Sequence, residues 1–81
     1  MHVNEAYALI RYVIAQKLLI ETECITPHAR FVEDLGADSL NLVEIVLDIN
    51  EALDIEIPVQ GLAKIRSVED LSILVAEAIE R

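Results

Sequence analysis

The stretch Ser39–Leu53, SLNLVEIVLDINEAL, constrains the fold most. It sets Leu40, Leu42, Val43, Ile45, Val46, Leu47, Ile49 and Leu53 within one helix length, too many for the single stripe of an ordinary surface helix. A helix apolar on most sides is either buried or has a second client for its extra face. Complete burial is hard to arrange in 81 residues, because so short a chain buries only about 60% of its unfolded surface. A client for the extra face is therefore expected.

The neighbouring segments read as further helices. After Asn4, a good N-cap, Leu9, Ile10, Val13, Ile14 and Leu18 recur at three- and four-residue spacing, with Arg11, Gln16 and Lys17 on the other face. This predicts a helix over about 4–19. A long connection follows from Ile20 to Asp38, with Pro27 inside it and Ile25, Phe31, Val32 and Leu35 spaced as anchors. Connections of this length in small domains tend to carry function. Gly36 permits positive φ just before the next helix. The second helix spans Ser39 to Leu53, with Asp38 or Ser39 as its cap. Pro58 stops regular structure, and Gly61 weakens Val59–Ile65 to a short helical turn at most. The last helix opens at Ser67, which with Asp70 resembles a capping box; Val68, Leu71, Leu74, Val75, Ala78 and Ile79 form its apolar face. The fold class is all-α: a small bundle of three main helices plus one short helix, with a long first loop, in one domain over 1–81.

Composition supports this and removes several functions. Hydrophobic residues make up 54%, too many for a disordered tail, and two Gly with two Pro are too few for a turn-rich sandwich or barrel. A net charge of −9 opposes nucleic acid and anionic membrane surfaces and leaves basic partners. Cys24 is alone, which leaves no internal disulfide, and it reads as a small semi-buried hydrophobe. The start MHVNEAYALIRYVIAQ lacks the basic head and apolar run of a signal peptide, so a cytoplasmic location is expected. Enzyme chemistry has little to work with. There is no Gly-x-Ser-x-Gly elbow, and His2 and His28 lie in segments expected to be flexible and solvated. Glu33 and Asp34 have no cleft in so small a bundle, and Asp34 to Glu44 lacks the alternating oxygen ligands of a calcium loop. No metal site and no catalytic residue is expected.

Charge is distributed unevenly. From Phe31 through Ala63 there is no Lys, Arg or His, while Glu33, Asp34, Asp38, Glu44, Asp48, Glu51, Asp54 and Glu56 all fall inside that window. A solvated acidic face is one reading; an electrostatic landing surface for basic partner proteins is the reading preferred here. Inside the window lies Asp34-Leu35-Gly36-Ala37-Asp38-Ser39-Leu40. A serine at a helix start sits where unpaired N–H groups and the positive dipole end converge, a setting suited to a phosphodiester on its oxygen. An isolated Asp-Ser-Leu is better read as a plain N-cap.

The wider pattern reverses that preference. Ile25-Thr26-Pro27, Phe31 through Leu40, Val43-Glu44 and Glu56-Ile57-Pro58 resemble, in order, segments of the acyl carrier protein family, and the helix layout agrees over nearly the whole chain. The resemblance implies 4'-phosphopantetheine on Ser39 Oγ, attached from coenzyme A by a phosphopantetheinyl transferase that recognises Asp38. It implies a partner-binding surface of Leu40, Val43, Glu44, Leu47, Asp48 and Glu51, docking basic-surfaced acyl-transfer and synthase enzymes. Ile45, Val46, Ile49, Ile57, Leu62, Ile65 and Leu74 would line a pocket for the acyl chain, which gives the second helix its client. A monomer is expected, and the net charge of −9 leaves it no nucleic-acid or membrane partner.

The chain departs from the family pattern in places. Asn41 and Leu42 follow Asp-Ser-Leu where an acidic and a polar residue are usual. The short third helix reads Val59-Gln60-Gly61-Leu62-Ala63 instead of acidic, and Leu19 stands where glycine is common. These changes soften the acidic face and add apolar contact area. A carrier for polyketide or specialised lipid assembly therefore fits as well as one for primary fatty acid synthesis. The alternatives are a non-covalent acidic helical adaptor and an aminoacyl or peptidyl carrier.

Overall fold

The computed structural model describes residues 3–80. Three α-helices, α1 (Val3–Leu18), α2 (Ser39–Leu53) and α3 (Val68–Glu80), are joined by connections that each contain a 3-10 turn, at Thr22–Cys24 and Val59–Lys64. The all-α bundle with one short extra helix is as expected, and α2 has the expected bounds. The turn at Thr22–Cys24 has no counterpart in the sequence reading.

α1 packs against both α2 and α3. Its buried face is Ala6, Ile10, Ile14 and Ala15, with Leu9 only half-buried. Helix α1 begins at Val3, so Asn4 lies inside it and is not its cap; His2 lies outside the described residues. Arg11 and Lys17, expected on a free face, are both engaged. Arg11 Nη2 donates to the Thr22 carbonyl at 2.6 Å and its Nε to that of Ile25 at 3.2 Å, while its guanidinium lies over the Tyr7 ring at 5.9 Å. That staples the first connection to α1.

The same connection is pinned at its middle. Ile25, Ala29, Phe31 and Ala37 are buried, whereas Val32 is 64% exposed and is not the anchor its apolarity suggested. Residue 31 already points inward, so its neighbour points out. Cys24 is exposed too, because the turn ends by burying Ile25. Phe31 N–H donates to the Arg66 carbonyl at 2.9 Å, and the Val68 and Glu69 amides donate to the carbonyls of Ala29 (3.0 Å) and Pro27 (2.9 Å). The loop thereby satisfies two of the amides that open α3, and Arg30 and Ser67 form a short antiparallel bridge.

Helix ends follow from local chemistry. Ser67 Oγ accepts the Asp70 N–H at 3.2 Å while Asp70 Oδ2 accepts the Ser67 N–H at 3.1 Å, the capping box expected from sequence. α1 and α2 both stop in a left-handed residue, Leu19 at φ 58° and Asp54 at φ 53°. The following amides, of Ile20 and Ile55, reach back to Ala15 and Asn50 carbonyls, the Schellman pattern. Asp tolerates that conformation; Leu19, 90% exposed, occupies a place suited to glycine. Gly36 takes φ 71°, as its position before α2 suggested.

Candidate functional site

α2 starts with a division of labour. Asp38 is extended (φ −99°, ψ 179°) and caps the helix, its Oδ1 accepting the Asn41 N–H at 2.8 Å. Asn41 Oδ1 returns the bond by accepting the Asp38 N–H at 3.1 Å, and the Leu42 N–H goes to the Asp38 carbonyl at 3.1 Å. The choice between Asp38 and Ser39 as cap is thus decided for Asp38. Ser39, the first helical residue, is exposed with its hydroxyl free of capping duty. The amides of Ser39 and Leu40 have no acceptor within the helix. An anionic oxygen linked to Ser39 Oγ would meet two N–H groups and the positive helix end.

Asn41 is the residue that sequence reasoning missed. It departs from the family pattern, yet it completes the cap. The signal was available, since Asp-x-x-Asn is a capping box with Asn replacing the usual Glu or Gln.

The segment leading into Ser39 is held tightly. Asp34 Oδ2 accepts the Arg30 backbone N–H at 2.9 Å and lies 3.3 Å from Arg30 Nε. These bonds, the backbone one first, hold the Asp34 carboxyl below its ordinary range. The Leu35 N–H reaches the Arg30 carbonyl (3.0 Å) and the Ala37 N–H the Phe31 carbonyl (2.8 Å). Beside the serine lies a cleft of about 340 Å³ whose walls include Ser39, Asp38, Phe31, Leu42, Ile65 and Arg66. Exposed serine, open amides and adjoining space fit a phosphate-linked arm.

The remaining expected site residues fall into two groups. Leu40 and Leu47 are 65% and 55% exposed, Asp48 and Glu51 are exposed, and Val43 and Glu44 are half-buried, all on α2. Ile45, Val46 and Ile49 are buried on its inner side, and Ile57 and Ile65 are buried at either end of the second connection. Leu62 and Leu74 are partly buried against the same core. The cleft beside Ser39 includes Ile65 and none of the other six expected pocket residues.

The acidic window is partly compensated from outside. Lys17 Nζ lies 3.2 Å from Asp48 and 3.9 Å from Glu44, and Arg30 lies 3.5 Å from Glu33. Such exposed pairs are weak and exchangeable, worth about 0–1 kcal/mol each, so they reduce the acidity of this face without sealing it. His28 is exposed in the first connection. Among the described residues no group of three or more His, Cys, Asp or Glu is placed to hold a metal ion, and no helix is long and apolar enough to cross a membrane.

A helical bundle that presents a free serine at a capped helix start belongs to a recognisable class. The family model described as "Phosphopantetheine attachment site" matches residues 8–75. The chain is also 49% identical over 59 residues to the acyl carrier protein of Syntrophobacter fumaroxidans (strain DSM 10017 / MPOB), covering 73% of each chain. The chain therefore belongs to the acyl carrier protein family, whose members carry covalent 4'-phosphopantetheine and act as carriers rather than catalysts.

Proposed function

We propose that Ser39 Oγ is the attachment point of the 4'-phosphopantetheine and that the protein presents tethered acyl intermediates to fatty acid, polyketide or specialised lipid biosynthetic enzymes. The observation that carries this reading is the cap: Asp38 and Asn41 satisfy the helix start and leave the exposed Ser39 hydroxyl free to react. When bound, the prosthetic group supplies a thiol that takes acyl groups as thioesters. Asp38, next to it and exposed, offers a carboxylate for recognition by the transferase.

Leu40, Val43 and Leu47 with Glu44, Asp48 and Glu51 form the docking face, where apolar contact follows electrostatic approach. A basic partner displaces Lys17 from Glu44 and Asp48 as it docks. The acyl chain enters between α2 and the second connection, among Ile45, Val46, Ile49, Ile57, Leu62, Ile65 and Leu74. Softness of that wall supports the route. A Cβ on Gly61 would meet only Leu74 Cδ1 at 3.9 Å, so nothing steric demands glycine there, and its effect is to leave the turn loose. Residues 1–81 act as one carrier domain, cytoplasmic and monomeric, with the net charge of −9 holding copies apart.

Intact mass tests the reading. Incubation with coenzyme A, Mg²⁺ and a broad-specificity transferase adds one phosphopantetheine, and an acyl-loading enzyme then adds its acyl group as a thioester. A protein that stays at its apo mass under these conditions is an adaptor and not a carrier.

A further inference from the structure

We infer that Arg66 is a positioning residue that grips an anionic oxygen group tethered at Ser39, either the phosphodiester of the arm or a carboxylate at the end of its cargo. The inference rests on Ser39 being the attachment residue.

The cleft beside Ser39 is a poor place for an anion unless something positive faces it. Two of its walls, Glu33 and Asp38, are carboxylates, and no cation occurs anywhere in the sequence from 31 to 63. Arg66 is the one basic residue that lines it. The other described cations near acidic or carbonyl oxygens are committed: Arg11 to the Thr22 and Ile25 carbonyls, Lys17 to Glu44 and Asp48, Arg30 to Glu33 and Asp34. Among the described residues, no carboxylate lies within salt-bridge distance of the Arg66 guanidinium.

The acids around Arg66 make their close contacts with other groups, and Asp70, which feels the Arg66 charge, stands beyond salt-bridge distance of it. Glu33 pairs with Arg30, Asp38 Oδ1 caps α2, and Asp70 Oδ2 accepts the backbone amides of Arg66 and Ser67. The backbone of Arg66 is meanwhile clamped on both sides. Its carbonyl accepts the Phe31 N–H at 2.9 Å and its N–H donates to Asp70 at 3.0 Å. A fixed base, an exposed side chain and a permanently charged fork of donors suit bidentate capture of a phosphate or carboxylate.

The test uses the full chain as wild type, Arg66→Gln and Arg66→Lys. Each is loaded on the free-thiol arm, on the arm with a short methyl-ended acyl group, and on the arm with a carboxylate-ended acyl group of similar length. Mass is checked first. The readouts are the Arg66 Nε–Hε resonance and the phosphorus line width of the linkage. The inference expects the Arg66 resonance to shift on loading. It expects the phosphorus line to narrow in Arg66→Gln and to recover only in part in Arg66→Lys, which keeps the charge and loses the fork, a graded response that a merely structural role would not produce. A response already present with the free thiol identifies the phosphodiester as the ligand. A shift of the Arg66 resonance confined to the carboxylate-ended cargo identifies the carboxylate. Loaded protein whose Arg66 resonance stays at its apo position in all three forms, with equal phosphorus lines in wild type and Arg66→Gln, overturns the inference alone. Failure to gain mass overturns the Ser39 assignment and the inference with it.

Discussion

The starts of α2 and α3 are built from the same parts and put to different uses. Each opens with a reciprocal capping box and each offers a serine at or beside the cap. At α3 the serine is the cap, its Oγ accepting the Asp70 amide, and the amides of Val68 and Glu69 are taken by the carbonyls of Ala29 and Pro27. At α2 the aspartate is the cap, and the serine stands one residue further on, exposed, beside amides without acceptors. A one-residue shift of the hydroxyl thus separates a serine spent on a cap from one left free of it. The two starts are tied together through Phe31, whose N–H meets Arg66 before α3 and whose carbonyl holds Ala37 before α2.

Phe31 therefore bears on both starts at once. Phe31→Ala removes a fully buried ring from between the two starts and should cost about 3–5 kcal/mol, read by urea unfolding. Exchange protection should fall at both helix starts together; loss at only one would show that they are independent. Asp70→Ala acts on α3 alone. It strips the acceptor of two backbone amides and should cost about 1–2 kcal/mol. The Arg66 amide foremost, with help from Ser67, holds the Asp70 carboxyl below its ordinary 3.8 despite partial burial. A folded-state value below the unfolded one means the contribution is complete above the unfolded value and is lost as pH falls through the folded one. The stability gap between wild type and Asp70→Ala should therefore be flat near neutrality and close below pH 3.8; a gap that widens with acid would contradict the sign. Leu19→Gly touches neither start. It relieves a left-handed leucine at the end of α1 and should stabilise by about 1 kcal/mol, a gain tempered by glycine's unfolded-state entropy. Melting should rise while loading at Ser39 is unchanged.

Local signals in the sequence were legible, and contacts between distant segments were not. The extent of α2, the Ser67–Asp70 box, the positive φ of Gly36 and the weak helix after Pro58 all follow from residues within a turn of each other. The pairing of 27–31 with 66–69 does not, because nothing in either segment names its partner. The reach of Lys17 across to Glu44 and Asp48 was hidden for the same reason. A window counted along the chain holds only acids, but a surface is assembled from several elements. Apolarity misled at Val32 and Cys24, where the backbone turns the neighbouring residue inward. Ser39 stands out in the sequence by its surroundings, whereas the freedom of its hydroxyl depends on Asn41 completing the cap in the folded chain.

Two serines, Ser39 and Ser67, stand at helix starts, and only one of them is expected to react. Wild type, Ser39→Ala and Ser67→Ala should be treated alike with coenzyme A, Mg²⁺ and a transferase, then fragmented to locate the added group. Wild type should carry one phosphopantetheine on Ser39. Ser67→Ala should carry the same group at the same place while melting lower, by the loss of a cap worth about 1 kcal/mol. Ser39→Ala should carry none and keep its fold. Addition at Ser67, or an alanine variant at 39 that still loads, would contradict the assignment of Ser39.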